Sequence, residues 1–198
     1  MCGDKLSVVN DELTSLTDRL RTEAGGSPLF GRLLATEDDE ELAGVLVADR
    51  QPLWAREIAA FRLGCLGDRR AFEALVLLLN HRDPERCGSA AHALLLLGDP
   101  RTPRAAAALA ANTLRTAYAL HPVRLLTALR APESVPALVG TLHRLLVPGE
   151  PHWNVALACV EGLGTLGDGR ARPVLKAALP HPRLGRAAAE ALGRLPAG

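Results

Sequence analysis

Ala59-Ala60-Phe61-Arg62-Leu63-Gly64-Cys65-Leu66-Gly67-Asp68 recurs as Ala90-Ala91-His92-Ala93-Leu94-Leu95-Leu96-Leu97-Gly98-Asp99, and again as Cys159-Val160-Glu161-Gly162-Leu163-Gly164-Thr165-Leu166-Gly167-Asp168. Counted back from each aspartate, positions two and five are leucine every time, and positions eight and nine are small or β-branched. That spacing follows a helix and lines one face with small residues at its start and leucine at its end. Glycine suits the left-handed residue that closes a helix, and aspartate suits the residue that caps the next one. Each copy therefore predicts a first helix, a tight stop and a second helix. Pro100, Pro103, Pro136 and Pro173 sit near the starts of the second segments, where a missing N–H costs least. The second helices are expected at roughly 70–80, 101–111, 133–146 and 171–179. His81-Arg82-Asp83-Pro84, His121-Pro122 and His181-Pro182 read as turns between units.

The first two aspartates are 31 residues apart and the last two 69, which leaves room for one more unit. That unit is visible as Leu126-Thr127-Ala128-Leu129-Arg130-Ala131, with Arg130-Ala131 in place of Gly-Asp. His121-Pro122 falls where its first helix should run, so a break is expected near Pro122. An outer segment would then cover about 112–120 and a shorter helix would start at 123. A final copy runs from Arg186 to Leu195. Self-similarity of this kind marks a repeat architecture. The pattern resembles the HEAT-like repeats found in phycobilisome lyases and in many bacterial proteins, over about residues 51–198. The resemblance implies an all-α fold, a right-handed α-α superhelix, and a scaffold rather than a particular chemistry.

Before the repeats, Leu6, Val9, Leu13, Leu16 and Leu20 form one apolar helical stripe. Gly25-Gly26 breaks it, Ser27-Pro28 opens a second helix, and Thr36 is the expected N-cap of a third whose first turn is acidic. Residues 1–50 are read as a helical cap on a single continuous repeat domain, 51–198.

Composition agrees. Hydrophobic residues make up 48% of the 198, but aromatics only 3%, so helices packed through Leu and Ala are favoured and no sheet is expected. The net charge is +1, yet residues 1–50 hold five basic against eleven acidic residues, and the remainder eighteen against eleven. The acidic end is either a solvated cap or a segment that screens a basic surface. Cys2, Cys65, Cys87 and Cys159 form no CxxC pair, and buried free thiols are expected. The opening Met-Cys-Gly is shared with N-terminal-cysteine amidotransferases, but the strand-rich pattern of such enzymes is missing behind it. No long apolar run and no basic leader pattern occurs, which predicts a cytoplasmic chain with no membrane contact.

Catalysis finds little support. The six histidines lie in no HExxH or His-Glu pair, so no metal site is expected and no cofactor is implied. Trp54 and Trp153 are read as packing anchors. The second segments carry Arg69, Arg70, Arg101, Arg104, Arg170, Arg172 and Lys176. Of these, Arg69, Arg70, Arg101, Arg104, Arg172 and Lys176 are the candidate contacts for another protein, through an acidic segment. Nucleic acid is the alternative partner, by resemblance to HEAT-like alkylpurine DNA glycosylases, and a lyase-type enzyme is a further one. The scarcity of aromatics argues against base stacking.

Overall fold

The computed structural model describes residues 3–48 and 50–196, with side chains from residue 13 onward. The regular structure of these residues is all helical, with no strand among them. They divide into two compact units, residues 1–99 and 100–198.

In the first unit the cap forms α1 (Gly3–Ala24), α2 (Pro28–Ala35) and α3 (Asp39–Val47). Leu16 and Leu20 of the predicted stripe are buried, while Cys2 and the side chains of Leu6 and Val9 lie outside the described residues. Helix α3 is capped by Asp38 rather than by Thr36: Asp38 accepts the Glu40 N–H, and Thr36 instead accepts the Asp38 N–H. The repeats follow as α4 (Leu53–Leu66), a 3₁₀ turn at Arg69–Ala71 leading into α5 (Phe72–Leu79), and α6 (Pro84–Leu97). Helix α4 is central, packing on α1, α2, α3, α5 and α6.

A buried ionic network ties the cap to the repeats. Glu57 of α4 is buried and receives hydrogen bonds from Arg19 of α1 and Arg86 of α6, and Arg86 also binds Glu23 of α1. Burial pushes the Glu57 carboxyl above its ordinary range, and the arginines pull it back. Cations on two helices thus converge on one desolvated acid, and truncating any member would leave a charge uncompensated.

The second unit contains α7 (Thr102–Ala111), a 3₁₀ turn at Thr113–Tyr118, α8 (Leu120–Leu129), α9 (Ser134–Leu145) and α10 (Trp153–Leu166). A 3₁₀ turn at Gly169–Ala171 then leads into α11 (Arg172–Ala178), followed by α12 (Gly185–Gly193). Helix α10 packs on α8, α9 and α12.

The glycine stops behave as the spacing predicts. Gly67, Gly98 and Gly167 are left-handed, with φ of 82°, 62° and 69°. The Asp68 N–H reaches back to the Leu63 carbonyl at 2.9 Å and the Gly167 N–H to that of Leu163 at 3.1 Å, closing α4 and α10. Asp68 and Asp168 then accept the N–H two residues on, at 2.9 and 2.8 Å. Leu63, Leu94 and Leu163, five residues before the aspartates, are fully buried. The leucines two before them are not uniform: Leu97 is buried, Leu166 half-buried and Leu66 62% exposed. Three residues on is about 60° around the helix, toward its edge.

The irregular unit corrects one expectation. Pro122 breaks nothing, because it lies in the first turn of α8, where the N–H it lacks has no intrahelical acceptor. His121 is consequently helical and not part of a turn. The discontinuity sits earlier, in the 3₁₀ stretch, where Arg115 departs from helical geometry at φ −130° and stacks its guanidinium 4.5 Å from the Tyr118 ring. The open end of α7 is satisfied from α9: Thr141 and Arg144 both donate to the Ala110 carbonyl, and Arg144 also donates to Thr116. Where Gly-Asp is missing, Arg130 itself adopts φ 51°. Ser134 takes over the aspartate's part, accepting from the Ala131 N–H and donating to the Leu126 carbonyl.

Candidate functional site

Once a second helix is started by the aspartate turn, its register is fixed. Numbering from that aspartate, or from Ala131 in the irregular unit, positions three and seven are buried in all four. They are Ala71 and Leu75, Thr102 and Ala106, Ser134 and Leu138, and Ala171 and Leu175. Positions two, five and nine are exposed in all four. They are Arg70, Glu73 and Leu77 in the first, and Arg101, Arg104 and Ala108 in α7. Glu133, Pro136 and Gly140 fill the same places in α9, and Arg170, Pro173 and Ala177 in the last. At about 100° per residue these three positions cluster on the side away from the buried ones. Every second helix therefore offers a solvent face at the same register, and its outer position is small or apolar.

The six predicted contact residues divide on this geometry. Arg70, Arg101 and Arg104 occupy the exposed face. Arg69 and Lys176, at positions one and eight, are exposed on its flank. Arg172, at position four, is half-buried beside the packed side and donates to the Pro196 carbonyl. Arg170 holds the face position in the last second helix, where it clamps Asp168 at 2.7 Å. Arg70 is clamped twice, by Asp68 at 2.6 Å and by both oxygens of Glu40 at 2.8 and 2.9 Å. These bonds hold the Asp68 and Asp168 carboxyls below their ordinary range and the two guanidiniums above theirs. Glu40 belongs to the acidic run of the cap, so part of that run does screen a cation of the ridge.

Four other reactive groups, Cys87, Cys159, His81 and His181, are buried in the core or tied to turns. The Cys87 thiol donates to the His81 carbonyl at 3.0 Å, and burial pushes the Cys159 thiol up to about 12. His81 and His181 accept the N–H two residues on through Nδ1, at 3.0 and 3.2 Å, which is the turn role expected of them. No cluster of three or more metal-ligating side chains occurs among the described residues, and no helix there is long and apolar enough to cross a membrane. Trp54 is buried edge-on against Phe30, as a packing anchor should be. Trp153 is half-buried and carries the Arg183 guanidinium 4.8 Å above its ring, at the side of an open hollow of about 370 Å³.

Helix pairs with a repeated stop-and-start turn, each second helix exposing the same register, define a helical-repeat scaffold. Residues 155–179, covering most of α10 and all of α11, match the PBS lyase HEAT-like repeat, which supports a HEAT-like repeat protein. No curated protein matches the chain.

Proposed function

We propose that the chain is a non-catalytic interaction scaffold that holds another protein on the exposed faces of its second helices, with residues 1–50 capping the repeats that begin at residue 51. The observation that supports this reading is the recurrence of one solvent-facing register, positions two, five and nine, in helices whose other sides are buried. Arg69, Arg104 and Lys176 supply cations to acidic groups of the partner. Arg70 and Arg172 are committed to acceptors within the chain, and set the ridge rather than reach beyond it.

The test is site-specific photocrosslinking in cell extract. A photoreactive side chain at Ala108, Gly140 or Ala177 is expected to give discrete protein adducts. The same group at Glu161 or Thr165, exposed on the first helix α10, should give none. Reversing Arg104 and Lys176 to glutamate should weaken the adducts without changing helix content. Equal adducts from both helix classes would contradict the reading. Adducts made of nucleic acid and abolished by salt would replace the protein partner with a polyanion.

A further inference from the structure

In the first unit, α3, α4 and α5 leave between them a groove lined by exposed apolar side chains. Val47 is 81% exposed and Leu77 73%, and Leu53 joins them at the surface. Leu46, Leu53, Leu77 and Leu78 line a hollow of about 380 Å³, and Leu46 is shared with a second hollow of about 500 Å³ that runs past Val47 to the Glu40–Arg70 pair. Isolated exposed leucines need no explanation, but a contiguous apolar groove does.

The charges around it are uneven in their commitments. Glu57 is spent on Arg19 and Arg86. Glu40 and Arg70 are spent on each other. Glu73 and His81 already interact within the chain. Arg56 differs: it lines the same hollow, and its Nε–H is buried with no hydrogen-bond partner among the described residues. A buried guanidinium donor without an acceptor is costly, and a carboxylate is the acceptor that matches it best.

We propose that this groove docks an amphipathic segment of a partner protein, with apolar side chains set against Leu46, Leu53, Leu77 and Leu78 and a carboxylate on Arg56 Nε. The proposal rests on the scaffold reading above and adds the partner's chemistry. The open rim formed by Val47 and Leu77 favours a peptide over an enclosed small acid. Apolar anchors spaced three or four residues apart on a helix would follow such a groove.

The probe is a displayed library of random segments of roughly 16 residues, selected on the full chain and counter-selected on the bare support. Recovered peptides are expected to combine apolar residues at helical spacing with Asp or Glu. Leu77→Glu and Arg56→Ala should each lower their affinity by about tenfold or more, or about 1.4 kcal/mol. Neutralising the peptide's acid should cost the same factor on the wild type and nothing on Arg56→Ala. That cycle isolates the contact from any effect on folding. Several results would overturn the proposal. Peptides could bind equally to Leu77→Glu, or the acid and Arg56 could act additively. A dodecanoate-only ligand would point to a small acid, and a dimer dissolved by Leu77→Glu would point to a second copy of this chain. Peptides that map to Ala108 or Ala177 instead would end the groove proposal and leave the scaffold reading standing. Loss of the second-helix crosslinks would end the scaffold reading itself.

Discussion

Arg130 shows how a repeat survives the loss of its most characteristic residue. The other stops place glycine in the left-handed region, but here a residue with a β-carbon adopts φ 51°. For a non-glycine residue that conformation costs about 1–2 kcal/mol. The backbone accepts it because Ser134 fastens the turn from both sides, through the Ala131 N–H and the Leu126 carbonyl. Arg130→Gly should therefore relieve strain and raise stability by about 0.5–1 kcal/mol, once the extra chain entropy of glycine is subtracted. Chemical denaturation reads this directly, and an unchanged or lower midpoint would show that the left-handed turn is not strained. The sequence exposes the substitution at 130 but not the serine that compensates it, because Ser134 acts across the turn rather than in register with the missing aspartate.

At the scale of elements, close helix contacts are made at glycines that the repeat pattern does not single out. Of the residues eight and nine before the aspartate, Ala59, Ala60, Ala90, Cys159 and Val160 are buried as their spacing implies, while Ala91 is half-buried. Two close approaches lie elsewhere, four residues before the aspartate, at Gly64 and Gly164. A β-carbon on Gly164 would stand 2.8 Å from the Ala191 β-carbon and 2.9 Å from its α-carbon, both on α12. One on Gly64 would meet Leu75 at 2.7 Å and Ala93 at 3.0 Å. Gly164→Ala must push α12 away from α10, and should destabilise by about 1–3 kcal/mol. Gly140→Ala is the matched control. Nothing lies within 4 Å of its β-carbon, and it sits inside α9, where alanine gains about 0.5–1 kcal/mol. Thermal melts that move in the same direction for both would refute the close-packing account. These glycines were not legible because Leu95 takes the same place in the intervening copy, so the alignment reads the position as variable. The third N-cap was misplaced for a related reason. Thr36, Glu37 and Asp38 all precede the apolar run, and only geometry shows that Asp38 takes the cap while Thr36 supports it.

At the scale of the molecule, the three Leu-Gly-Asp copies and the leucines five residues ahead of them were enough to give the all-α repeat, its helix boundaries to within a few residues, and the turn role of His81 and His181. The charge imbalance of the first fifty residues was legible too, but its use was not. Glu23 goes to Arg86 and Glu40 to Arg70, pairs separated by 63 and 30 residues that no local pattern could match. The candidate surface was half legible. Arginines on the second helices could be counted from sequence, but which of them face solvent depends on the register in which the turn from the first helix starts the second. That register sorts Arg101 and Arg104 onto the exposed face and turns Arg172 toward the packed side.

That shared register carries the whole account, and cysteine accessibility tests it most directly. Single cysteines would be placed at position nine (Ala108→Cys, Gly140→Cys, Ala177→Cys) and at position seven (Ala106→Cys, Leu138→Cys, Leu175→Cys), with Cys2 and Cys65 replaced by serine. Under native conditions the position-nine thiols should react with a maleimide at nearly the rate of an unfolded peptide, while the position-seven thiols stay protected until denaturant opens the fold. Position-seven thiols that label as quickly as position-nine thiols in a folded chain would contradict it.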